Sequence, residues 1–275
     1  MAALDARDDK PSLLLLLVDA LAFLLRQRGL FLVIVLPIAG LAAGIAWALE
    51  SQHRLVAWRG HWGWDFLFVL VYALLLDRWV KESLLDGAGD YDETDDLRRS
   101  LVSPRFLLFV ASLFVLAAAL ITLPIALPIE WFGGTGAVLA KVLTWAPHFV
   151  LWTMAFALFA LYLPALAAAE PLSLLQALRL GRSVRPTLVT LILGVALLSL
   201  LGQAAAQWLP LHLRPKPWIL PAMAAAHRFF DCVLLALVGH VLASLFQTLA
   251  DWRQPEPDDH AYRDLRKPRR KVPSR

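Results

Sequence analysis

The residues best suited to chemistry sit together in one apolar run near the C-terminus. His227 and Asp231 are four apart and Arg228 and Asp231 three apart, so a helix carries all three on one face. His240 lies deeper in the same run. Ionisable groups inside an apolar span are costly, and the chemistry they suit is a proton relay or a site for a polar solute. The same spacing also suits a plain Asp231–Arg228 pair near a membrane interface, with the arginine reaching outward to water. That structural role is the expected one.

Three more ionisable positions fall at the ends of apolar runs. Asp77 and Arg78 are adjacent and suggest a local pair at the inner interface. Glu170 follows another run and stands on the N-terminal side of the next helix, where the helix dipole favours a carboxylate. No metal or cofactor site is expected. His53, His61 and His212 lack a ligand spacing, and there is no HExxH, P-loop or nucleophile elbow. Asp86, Asp90, Asp92, Glu93, Asp95 and Asp96, interleaved with Gly87 and Gly89, match no calcium loop and read as a solvated linker. The single cysteine, Cys232, is expected as a small buried packing residue.

The elements that would position these groups are set by the solvent they require. Of the 275 residues, 59% are hydrophobic and 17% charged, against roughly 25% charged in soluble domains. The hydrophobic residues come in runs of about 20, the length of a bilayer-crossing helix. Such runs occupy 29–49, 64–80, 106–129, 142–169 and 188–209, with a sixth inside 219–249. The expected fold is therefore an all-α polytopic transmembrane bundle of about six spans. Three inner-surface segments precede the odd-numbered spans, at 11–28, 95–105 and 170–186. They suggest three units, each an interfacial helix followed by a helical hairpin. Domain limits are 1–28 for the cytoplasmic N-terminus and interfacial helix, 29–250 for the spans, and 251–275 for a basic cytoplasmic tail.

Charge sets the expected orientation. With the N-terminus inside, twenty of the 26 Lys and Arg fall in inner segments. The N-terminus itself does not read as a cleaved signal peptide, because its charge is mixed and Asp19 interrupts its apolar stretch. Trp47, Trp58, Trp62, Trp64, Trp131, Trp145, Trp208 and Trp218 fall at outer span ends, while Trp79 and Trp252 fall at inner ends. Such rings anchor spans at the interface. Gly40 and Gly44 form a GxxxG that permits close helix approach, within the monomer or in a homo-oligomer. Basic inner segments are expected to meet anionic lipid headgroups. Nothing suggests nucleic acid as a partner.

One stretch carries a family likeness. Leu163-Pro164-Ala165, then Glu170-Pro171-Leu172-Ser173-Leu174-Leu175-Gln176-Ala177-Leu178-Arg179, resembles an element of the bacterial membrane domain fused to some glycerophosphodiester phosphodiesterases and also found alone. Gly181 stands where that family usually has a serine. The resemblance covers 163–200 and implies a six-span bacterial inner-membrane protein with inner helices. It does not imply phosphodiesterase chemistry, which belongs to a separate soluble barrel, and it transfers no functional residue.

The resulting expectation is a non-enzymatic inner-membrane protein with both termini cytoplasmic. It would serve as scaffold, accessory subunit or envelope-homeostasis factor, with or without a protein partner. The alternative is a small-molecule or lipid transporter using the polar cluster of the sixth span.

Overall fold

The structure is a computed structural model that describes residues 12–51, 62–85, 104–122, 153–154, 156–168, 172–212 and 218–250. Among these every regular element is a helix. In chain order they are α1 (Leu13–Arg26), α2 (Arg28–Ser51), α3 (Trp62–Leu84), α4 (Pro104–Thr122), α5 (Tyr162–Ala167), α6 (Leu174–Leu180), α7 (Arg185–His212) and α8 (Ile219–Ala250).

Local chemistry explains several boundaries. Ser12 caps α1, its hydroxyl accepting from the Leu15 amide at 3.3 Å. Gln27 alone separates α1 from α2, and the Phe31 amide bonds the Gln27 carbonyl at 3.0 Å, so hydrogen bonding continues across the junction. Ser173 and Gln176 form a reciprocal capping box at the start of α6. Pro104 opens α4, where its missing N–H costs nothing.

Three described helices are long and apolar enough to cross a bilayer: Arg28–Ala48 within α2, Arg185–Gly202 within α7, and Ile219–Ala250, the whole of α8. At 1.5 Å per residue, α8 is about 48 Å long, more than the roughly 30 Å hydrocarbon layer. The run expected at 64–80 is helical as part of α3, but Asp77, Arg78, Lys81 and Glu82 crowd its last turns. The runs expected at 106–129 and 142–169 lie partly outside the described residues, and Glu170, the acidic stretch 86–96 and the tail 251–275 lie wholly outside them.

Helix α8 is the centre of the bundle and packs against α1, α2, α3, α5 and α7. Its neighbours have defined directions. Tyr72 meets Asp231, Ser83 meets His240 and Leu84 meets Gln247, so α3 runs parallel to α8. Asp19 meets His240 while Phe31 meets Phe229, so the α1–α2 run is antiparallel to it. Ser199 meets Asp231 while Gly202 faces His227 and Phe230, so α7 is antiparallel too.

Trp79 has zero exposure and lies edge-on to Phe23 at 5.3 Å and Phe31 at 5.6 Å between ring centroids. This corrects its expected place as an interfacial anchor: three helices close over the indole. Trp47 and Trp218, in contrast, are exposed, as an anchor requires. Cys232 is fully buried and unpaired with another cysteine.

The close glycine contact is not the expected one. Gly40 and Gly44 are exposed, and a Cβ at either would meet nothing within 4 Å. Contact inside the monomer therefore does not account for that motif among the described residues. Gly239 is the tight point, where an added Cβ would stand 3.0 Å from Leu76 Cδ1 and 3.4 Å from Trp79 Cδ1. Gly239→Leu is expected to destabilise the bundle by about 1–3 kcal/mol through overpacking. Gly40→Leu and Gly44→Leu should stay within about 0.5 kcal/mol of wild type. Thermal unfolding of the three variants in one detergent checks the contrast.

Candidate functional site

Two polar groups are built on α8, nine residues or about 13 Å apart along its axis. The first centres on Asp231, which is 7% exposed. Ser199 from α7 donates its hydroxyl to Asp231 Oδ1 at 2.7 Å. Tyr72 from α3 donates to Oδ2 at 3.1 Å. One turn back on α8, Arg228 Nη1 donates to the Tyr72 hydroxyl at 3.3 Å and lies 3.5 Å from Oδ2. The guanidinium also sits over the Phe68 ring, 4.2 Å from its centroid, in cation–π geometry. Three helices thus meet at one carboxylate, and both of its oxygens are occupied by protein donors.

His227 stands at the edge of this group. Its Nε2 is 3.7 Å from Asp231 Oδ2, beyond hydrogen-bond range, and is buried without a hydrogen-bond partner among the described residues. His227, Arg228 and Asp231 thus lie on one face of α8, while His240, deeper in the same helix, belongs to the second group.

His240 is 3% exposed and bridges α8, α3 and α1. Its Nδ1 lies 3.2 Å from Ser83 Oγ and its Nε2 lies 3.0 Å from Asp19 Oδ2. Phe23 stacks on the imidazole at 4.4 Å, with 22° between the ring planes. Serine, histidine and aspartate are the residue types of a nucleophile, a base and its orienting acid. The geometry argues against that use. Ser83 donates to the Trp79 carbonyl at 2.9 Å, four residues back, and is 3% exposed, so its hydroxyl is buried and already engaged. The group instead ties α1 to the bundle.

The expected Asp77–Arg78 pair is replaced by two helical pairs on α3. Lys81 Nζ binds Asp77 Oδ2 at 2.9 Å, with both residues at 2% exposure or less. Arg78 turns to Glu82, 2.8 Å away, at a more open position. Adjacent residues on a helix point about 100° apart, whereas residues four apart meet, so the i,i+4 partners win. Lys81 is one of the inner basic residues by sequence, and the structure buries it. Its aliphatic stem and the Asp77 carboxylate lie together inside the bundle. No group of three metal-ligating side chains occurs among the described residues.

Tyr72, Ser199, Asp19 and Ser83 were not singled out from sequence. Tyr72, Ser199 and Asp19 are each a lone polar group in an apolar stretch, which is the signal that marks them, whereas Ser83 follows Lys81 and Glu82 and carries no such signal. What sequence spacing cannot supply is the partner, because these bonds join residues 32 to 221 positions apart. In comparison with known proteins, no family model, curated protein or solved structure matches the chain.

Proposed function

We propose that the chain is a non-enzymatic, six-span protein of a bacterial inner membrane, with both termini cytoplasmic, acting as scaffold, accessory subunit or envelope-homeostasis factor. The observation that carries this reading is the occupation of Asp231. Its two oxygens accept from Ser199 and Tyr72, so the carboxylate most suited to solute or proton handling is spent on joining α3, α7 and α8. A satisfied buried network of this kind specifies one packing arrangement. The alternating directions of α2, α3, α7 and α8 agree with spans one, two, five and six of such a topology. The exposed apolar side chains of α2 and α7, including Val33, Leu36, Leu200 and Leu201, suit contact with acyl chains.

A second reading, a transporter of small molecules or lipids, is favoured by one observation: the buried His227 Nε2 beside Asp231, which has no hydrogen-bond partner among the described residues. Purification in native nanodiscs followed by mass spectrometry separates the two. The scaffold reading expects a stoichiometric protein partner and no retained solute. A retained metabolite, lost in His227→Ala with the fold intact, would replace it with the transporter reading.

A further inference from the structure

We propose that Arg179, Arg182 and Arg185 form a comb that binds the phosphates of anionic phospholipids where α7 enters the bilayer. The proposal rests on the membrane reading above and names a lipid partner for it. Between α6 and α7 the chain does not continue as α-helix. The Arg182 amide bonds the Arg179 carbonyl, and the Val184 amide bonds the Gly181 carbonyl, each at 3.2 Å. Both are three-residue closures, as in a 3₁₀ turn, where side chains three apart eclipse. Arginines at 179, 182 and 185 therefore line up on one side. A rise of roughly 2 Å per residue spaces their Cα atoms about 6 Å apart along the turn.

Packing fixes which side that is. Ala177, Gly181, Val184 and Leu188 are buried on the opposite stripe, and a Cβ at Gly181 would stand 3.4 Å from Leu161 Cδ1. With that stripe seated, the three arginines are exposed. Among the described residues none of the three forms an ion pair, and residues 172–212 contain no Asp or Glu. Ser183 lies exposed between them and adds a hydroxyl. Immediately before the comb, Leu174 and Leu175 are also exposed, and immediately after it begins a helix apolar enough to span a bilayer. Exposed leucines, then a row of arginines, then a span is the order met on crossing from acyl chains along the surface to headgroups. Guanidinium groups bind phosphate oxygens in pairs of parallel bonds, which suits a phosphodiester better than a single ammonium would.

The test uses full-length protein in nanodiscs that mix phosphatidylglycerol with phosphatidylethanolamine, with co-purified lipid counted by native mass spectrometry. Each arginine near an anionic surface contributes about fivefold in affinity, so the triple Arg179→Gln/Arg182→Gln/Arg185→Gln variant is expected to lose enrichment of the anionic lipid by about a hundredfold. Arg105→Gln removes one exposed arginine of another basic inner segment, outside the comb, and should cost no more than about fivefold. Enrichment in the wild type should also fall as salt rises from about 0.1 M to 1 M. Displacement of the lipid by millimolar inorganic phosphate would show a site for free phosphate and overturn the lipid assignment. Equal enrichment in the triple variant and wild type would overturn the comb itself. Failure of the protein to enter any nanodisc would instead overturn the membrane reading, and is scored separately.

Discussion

Asp231→Ala is expected to destabilise the purified protein by about 3–5 kcal/mol, the cost of breaking a buried charged group by removing one partner. The effect arises from what remains. Arg228 keeps its place over Phe68 but loses the carboxylate 3.5 Å away, and the hydroxyls of Tyr72 and Ser199 lose their acceptor. Tyr72→Phe and Ser199→Ala should each cost far less, about 0.6 kcal/mol and at most about 1.7, as single interhelical hydrogen bonds do in membranes. Asp231→Asn should fall between, because the amide oxygen still accepts from one hydroxyl. Unfolding followed in a mild detergent gives all four values. A transporter that used Asp231 for solute would show another pattern: normal accumulation and stability in Asp231→Ala, with transport lost.

Trp79→Ala should be the other severe change, at about 3–5 kcal/mol, the range for removing a large aromatic from a packed core. The indole is where α1, α2, α3 and α8 converge, against Phe23, Phe31 and Gly239. Its loss leaves a cavity bounded by four helices that cannot all close on it. Trp79→Phe should be much milder, although it too reduces volume. The Trp79 Nε1 hydrogen has no acceptor among the described residues, so phenylalanine removes an unsatisfied donor along with part of the ring. Thermal midpoints of the two variants decide the point, and equal loss in both would show that the indole nitrogen has a partner.

Much of the helical plan is legible because lipid leaves few options. Runs of about 20 apolar residues must satisfy their backbone groups internally, and α2, α7 and α8 do so close to the expected limits. The i,i+4 geometry within α8 was equally readable, since His227, Arg228 and Asp231 need no tertiary information to share a face. The interhelical partners were not. Nothing local to Asp19 points to His240, and nothing local to Ser199 points to Asp231; these choices depend on which helices pack together. Trp79 illustrates the same limit. A tryptophan at a span end is usually an anchor, and only the approach of α1 and α2 buries it. Gly40 and Gly44 carry the recognisable motif, yet the tight crossing uses Gly239, a lone glycine whose role is set by Leu76 and Trp79 opposite it.

The central claim is that the polar groups of α8 hold helices together rather than act on a solute. A double-mutant cycle between Asp231→Ala and Ser199→Ala, read as unfolding free energy of the purified protein, tests it most directly. A structural bond between α7 and α8 predicts that the double variant is more stable than the sum of the single losses implies, with a coupling of about 0.5 kcal/mol or more. Additive losses, with no coupling, would mean that Ser199 and Asp231 do not support one another, and would contradict the account.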